Sequence, residues 1–161
     1  MIIILDEVLS PTPFLDFKDV INNFHGEAKW FYRDHAETYS DTLLQIASDY
    51  FNFDDIVGYE VWTHNNTIPI GDNDDGWHKD RDELSYHVRK LFRFPICSMV
   101  FYTKVKNLKG GELLIEDTIV VPKENRLVIF GPGLNHKVNE FQGERVSFNI
   151  NPWNRKLDKY S

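Results

Sequence analysis

The stretch GLNHKVNEFQGERVSFNINPW, residues 133–153, decides the reading of this chain. Within it Val146, Phe148 and Ile150 alternate with Arg145, Ser147 and Asn149. Successive side chains of a strand point to opposite faces, so this segment predicts a strand with one apolar and one polar face. An exposed antiparallel strand would give the same alternation. The polar face, however, carries specific chemistry: a guanidinium presents a rigid fork of donors to a carboxylate, and Ser147 adds a hydroxyl on the same side. His136 lies nine residues before Arg145, just after Gly131, Pro132 and Gly133, which predict a tight bend.

A second stretch, GWHKDRDE at residues 76–83, supplies what the first lacks. His78 and Asp80 are one residue apart, so in extended backbone both project to one side and Lys79 to the other. Alone, His-x-Asp is a weak signal. Joined by His136 it becomes two imidazoles and a carboxylate, a set that can occupy one face of a divalent metal and leave the opposite face open, as suits Fe(II). The other histidines are weaker ligand candidates. His25, His35 and His87 fall in predicted helices or connections, and His64 lies in the WTHNN segment, where a substrate contact is the alternative to a structural role.

Working outward, strands are predicted at residues 56–63, 96–105, 112–116, 118–122, 126–130, 136–140 and 145–150, separated by Gly, Pro or Asn turns. Gly110 and Gly111 suit a backbone turn or close approach before the ELLIE strand. The first third reads differently. MIIILDEV predicts an opening strand, too short for a membrane span and lacking a basic leader. PFLDFKDVINNF predicts a helix with Phe14, Phe17, Val20, Ile21 and Phe24 inward. A second helix starts near Thr38, with Asp41 in its first turn and Leu43, Leu44, Ala47, Tyr50 and Phe51 as its stripe. DELSYHVRKLF is ambiguous between helix and strand, with a short helix or lid-like insertion preferred. The expectation is a mainly β protein with supporting α-helices, a double-stranded β-helix (jelly-roll), in a single domain over 1–161, with helical support mainly at 14–51 and a sheet core at about 56–153.

The order of these motifs resembles the prolyl 4-hydroxylase branch of the 2-oxoglutarate and Fe(II)-dependent dioxygenases. GYEVWT resembles the strand leading to the metal motif, and HKD supplies the first histidine and the carboxylate. FYTKVKNLKGGELLI resembles the tyrosine-containing strand followed by Gly-Gly-Glu. Pro122, NRLVIF, His136, and then Arg145 with Ser147 and Trp153 complete the pattern over roughly residues 56–153. The resemblance implies His78, Asp80 and His136 as ligands of Fe(II), and Arg145 and Tyr102, with Ser147, as the site for the distal carboxylate of 2-oxoglutarate. Dioxygen is the implied co-substrate, with succinate and carbon dioxide released. Tyr59, Trp62, His64, Trp77, Asn149 and Trp153 are candidate substrate contacts, with Trp153 closing the substrate side. The chain departs from the pattern where Thr103 and Lys104 follow Tyr102, in the acidic approach NNTIPIGDNDDG, and in the long segment after Asp80.

The implied reaction is hydroxylation of a prolyl residue in a peptide or protein. Two alternatives stand: a hydroxylase of a free amino acid or other small metabolite, and a non-enzymatic metal-binding jelly-roll protein. Asp72, Asp74 and Asp75 would attract a basic peptide. A net charge of -7 over 161 residues argues against nucleic acid as partner, and Lys104, Lys106 and Lys109 read as a solvated edge. A single cysteine, Cys97, excludes an internal disulfide framework and suits a buried core position. A cytoplasmic setting is the corresponding expectation.

Overall fold

The computed structural model describes residues 1–22, 24, 28–35, 38–64 and 76–161. The first part contains β1 (Ile2–Leu5), α1 (Pro11–Asn22), β2 (Lys29–Tyr32), α2 (Thr38–Ala47) and β3 (Gly58–His64). A short helix, α3 (Glu83–Arg89), follows. Then come β4 (Ser98–Gly110), β5 (Leu113–Ile115), β6 (Thr118–Val120), β7 (Leu127–Phe130), β8 (His136–Val138) and β9 (Phe141–Trp153). A 3-10 turn at Asp158–Tyr160 lies near the end. Strands pair antiparallel in two sheets, of order β1-β7-β4-β9-β3-β2 and β6-β5-β8. This is the expected jelly-roll.

The alternation along β9 separates two cores. Phe148 and Ile150, with Tyr59, Val61, Met99, Phe101 and Ile129 from neighbouring strands, pack against Phe17 and Ile21 of α1 and Leu43, Leu44 and Ala47 of α2. Phe17 is the hub. Its ring meets Phe101 and Phe148 edge-on, each at 5.2 Å between centroids, a favoured aromatic arrangement. The opposite face of the large sheet contributes Val100, Tyr102, Val128 and Phe130 to a second core with Leu113, Ile115 and Val120 of the small sheet. Covering one sheet face with helices therefore leaves the other face to enclose an interior, and Arg145, Ser147 and Asn149 point there.

Several local expectations change. KWFY forms β2 on the sheet edge beside β3, which four residues without alternation do not announce. Val20 and Tyr50 are exposed rather than inward, and α2 ends at Ala47, so Tyr50 sits in the turn beyond it. β4 runs on to Gly110 through register shifts after Tyr102 and Lys106, pairing with the start of β9. The lysines lie on that extension, where Lys104 pairs with Glu144 at 2.8 Å. The ambiguous segment is helical: Asp82 caps α3 by accepting from Ser85 N–H at 3.1 Å, and Lys90 ends it in left-handed backbone. Cys97 is buried, and burial pushes its thiol pKa up.

Candidate metal centre and cofactor pocket

Backbone pairing brings the distant ligand candidates together. β8 lies at the edge of the small sheet, and His78 forms an antiparallel bridge with His136 beyond it. His78 N–H donates to His136 C=O at 3.0 Å, and His136 N–H donates to His78 C=O at 2.9 Å. Directly opposed residues share a face, so the two imidazoles emerge side by side, 4.2 Å between centroids. Asp80, two residues along from His78, returns to that face.

Each imidazole is oriented by a carbonyl two residues upstream. His78 Nδ1 lies 2.9 Å from Gly76 C=O, and His136 Nδ1 lies 3.0 Å from Leu134 C=O. A carbonyl can only accept, so Nδ1 carries the proton in each ring and Nε2 is the atom turned toward Asp80. Asp80 Oδ1 stands 3.4 Å from His136 Nε2 and 3.9 Å from His78 Nε2. Its second oxygen, Oδ2, accepts from the buried Ser98 hydroxyl at 2.7 Å. Ligand bonds of about 2 Å at right angles would set donor atoms roughly 3 Å apart, so this set of two nitrogens and one oxygen fits a divalent metal. Ser98 lies outside the sequence-based site; no local motif marks a serine whose partner is eighteen residues earlier.

The charges are interdependent. Burial alone would raise the Asp80 carboxyl, but His136, Ser98 and His78 hold it below the ordinary carboxylate range. Burial opposes the His136 imidazolium, yet Asp80 lifts that group above its usual pKa. His78 moves the other way, lowered by burial and by His136. The carboxylate is thus retained as an anion among two rings, which is the charge state a metal needs.

A cavity of about 260 Å³ connects the triad with the polar face of β9, lined among others by Trp62, His64, His136, Arg145, Ser147 and Asn149. Arg145 is 2% exposed. Its Nε donates to Gly111 C=O at 3.0 Å, Nη1 lies 3.3 Å from His64 Nδ1, and Nη2 makes a long 3.5 Å contact to the Tyr102 hydroxyl. No carboxylate pairs with it among the described residues. A buried cation without a counter-charge is costly, and burial lowers the Arg145 pKa from its ordinary value. Gly111 makes the approach feasible: it has φ +77°, and a Cβ there would stand 3.0 Å from Arg145 Cδ.

Not every candidate reaches this cavity. Tyr102 is fully buried behind the guanidinium, whose centre lies 5.1 Å from its ring, and is not part of the cavity wall. Burial raises its phenol pKa, opposed by Arg145. Tyr59 is a correction: it faces the helical core and stacks on Phe31 at 5.6 Å, because it alternates with Glu60 and Trp62. Trp153 is also corrected, being buried at the far end of β9 opposite Gly58 and absent from the cavity lining. Trp77 precedes His78 and meets Lys137, whose Nζ is 5.3 Å from its ring, away from the lining. His64 ends β3 rather than lying in a turn, and it meets Arg145, at the end expected for the cofactor; burial first, then Arg145, lowers its pKa to about 4. Trp62 and Asn149 do line the cavity, and Asn149 donates to Trp62 C=O at 3.4 Å. His87 is on the surface beside Glu83. His25, Asp72, Asp74, Asp75 and the side chain of His35 lie outside the described residues.

No family model matches the chain, and no curated sequence does. Solved structures do. A prolyl-4-hydroxylase from Pseudomonas putida superposes with a TM-score of 0.66 at 17% identity, covering 96% of this chain and 93% of that one. A 2OG-Fe(II) oxygenase family oxidoreductase from Burkholderia pseudomallei gives 0.61 at 13% identity, with 97% and 86% covered. The viral collagen prolyl hydroxylase of Paramecium bursaria Chlorella virus-1, in complex with 2OG, gives 0.58 at 13%, with 94% and 95% covered. The fold is therefore the jelly-roll that these oxygenases use. Among the described residues, no helix is long and apolar enough to cross a membrane.

Proposed function

We propose that the chain is a 2-oxoglutarate- and Fe(II)-dependent oxygenase that hydroxylates a prolyl residue of a peptide or protein. The observation that carries the reading is the pairing of two unfilled requirements in one cavity: three convergent metal donors, and a buried guanidinium with no carboxylate partner among the described residues. Mere metal retention would require the first but not the second.

His78 Nε2, Asp80 Oδ1 and His136 Nε2 would hold Fe(II), with Ser98 fixing the carboxylate so that a single oxygen faces inward. Arg145 would bind the distal carboxylate of 2-oxoglutarate as a charge-assisted pair, held in place by Gly111 and backed by Tyr102. Ser147 adds a hydroxyl on the same face. When bound, Fe(II) and 2-oxoglutarate supply the oxidising chemistry, with dioxygen consumed and succinate and carbon dioxide released. The chain need supply no general base. Its side chains fix orientation and, through Trp62, Val100, Leu113 and Val138 around the cavity, limit water.

Succinate release tests the activity, and a mass shift of one oxygen on the substrate tests its target. Proline-containing peptides should be modified in step with succinate. Modification of free amino acids with none on any peptide would transfer the assignment to a small-metabolite hydroxylase.

A further inference from the structure

Beside the triad lies a second chamber, of about 400 Å³, that shares Trp62, Thr63, His78 and Asp80 with the first. Its far wall is the continuation of the same strand pair. Glu60 and Asn151 are directly opposed on β3 and β9, in line with the pairs His64 with Ser147 and Trp62 with Asn149 and two residues beyond the latter. The interior face of β9 thus runs from a donor end at Arg145 to an acceptor end at Asn151, roughly 20 Å away at strand rise.

One of the two acceptors at this end is not satisfied by the fold. Asn151 is 3% exposed, and its Oδ1 is buried with no hydrogen-bond partner among the described residues. Glu60 is 8% exposed, an uncommon place for a carboxylate. It is met by two residues of the terminal 3-10 turn: the Tyr160 hydroxyl donates to Oε2 at 2.7 Å, and the Lys159 ammonium pairs with the same oxygen. The Lys159 side chain remains 46% exposed while that of Glu60 is 10% exposed, so the ammonium enters from solvent to reach a buried acceptor. Two of the other charges lining the chamber have partners of their own. Arg81 pairs with Glu83 at 2.8 Å, and Asp82 accepts from the backbone of Ser85 and Asp158.

The geometry points to a cation subsite: Glu60 and Asn151 receive an alkylammonium group of the substrate, and Lys159 is the chain's own ammonium in that place, displaced when substrate binds. Assigning the occupant as substrate rests on the oxygenase reading; the cation preference does not. The substrate is then a basic peptide, with a lysyl side chain near the oxidised residue, or an amine-bearing small molecule. An intramolecular competitor acts at millimolar effective concentration when loosely tethered, so Lys159 would keep the subsite selective against weak amines.

Binding of Nα-acetyl-lysine amide and its neutral counterpart Nα-acetyl-norleucine amide to the metal-free chain, by calorimetry or ligand-observed NMR, tests this without any turnover. The lysine probe should bind at least about tenfold more tightly, the scale of one charged hydrogen bond. Lys159→Ala should tighten it several-fold, and Glu60→Gln should abolish the preference. A purely structural Lys159 would give weaker or unchanged binding, and that result, or equal binding of the two probes, overturns the proposal. Should Glu60→Gln not fold, the probe pair and the exposed Lys159→Ala decide. Separate titration with Fe(II) and 2-oxoglutarate distinguishes a failed oxygenase reading from a failed cation subsite.

Discussion

His78 and His136, fifty-eight positions apart, exchange both backbone hydrogen bonds, at 3.0 and 2.9 Å, as a single antiparallel pair. The separation of their rings is therefore set by sheet geometry rather than by loop conformation. The site is then organised before any ligand arrives, which reduces the ordering cost of binding. Replacing either imidazole should leave that backbone pair intact. His78→Ala, Asp80→Ala and His136→Ala are each expected to lose Fe(II) affinity severely while retaining a cooperative thermal transition, as measured by anaerobic metal titration and circular dichroism.

Ser98→Ala separates carboxylate orientation from carboxylate presence. Losing an outer partner of a ligand typically costs 10- to 100-fold in metal affinity. The variant should fall in about that range, with a milder loss than Asp80→Ala. Metal affinity equal to that of the unmodified chain would mean that the 2.7 Å hydroxyl contact does not orient Asp80.

Gly111 gives a steric prediction. At φ +77°, with a would-be Cβ 3.0 Å from Arg145 Cδ, Gly111→Ala combines a strained backbone with a displaced guanidinium. About 1–2 kcal/mol of stability should be lost from the left-handed conformation alone, and 2-oxoglutarate affinity should fall with it. Chemical denaturation and cofactor titration on one preparation check both.

His64 makes the metal-free chain acid-sensitive. Its folded pKa is about 4 against 6.5 for an ordinary imidazole, so the unfolded chain binds the extra proton first as pH falls. The neutral ring's contribution is complete above pH 6.5 and is lost progressively down to about pH 4. Up to about 3 kcal/mol is at stake, from roughly 1.4 kcal/mol per pH unit. His64→Asn should flatten the difference in unfolding free energy between pH 6.5 and 4. An unchanged slope would remove His64 as its source.

Much of this was legible in sequence because it depends on local rules. The alternation of β9 follows from the period of a strand, and the proposed ligand set at 78, 80 and 136 follows from metal chemistry. What escaped depends on which strands become neighbours. Ser98 matters only because β4 places it against Asp80. KWFY is a strand only because β3 offers it an edge, and His64 belongs to the Arg145 end only because β3 pairs with β9 in the observed register. Tyr59 shows the same point in reverse: the alternation with Trp62 was readable, but which of the two faces was interior was settled by the helices covering the other.

The central claim, that a metal and a dicarboxylate share this cavity, is tested most directly by titrating 2-oxoglutarate into the anaerobic Fe(II)-loaded chain and following the metal-to-ligand absorption band. The band should saturate at one equivalent. Arg145→Ala should shift the midpoint by roughly ten- to hundredfold, as expected for about 1.5–3 kcal/mol from charged hydrogen bonds, with iron affinity nearly unchanged and Tyr102→Phe affected less. Absence of the band, or an Arg145→Ala midpoint equal to that of the unmodified chain, would contradict the account.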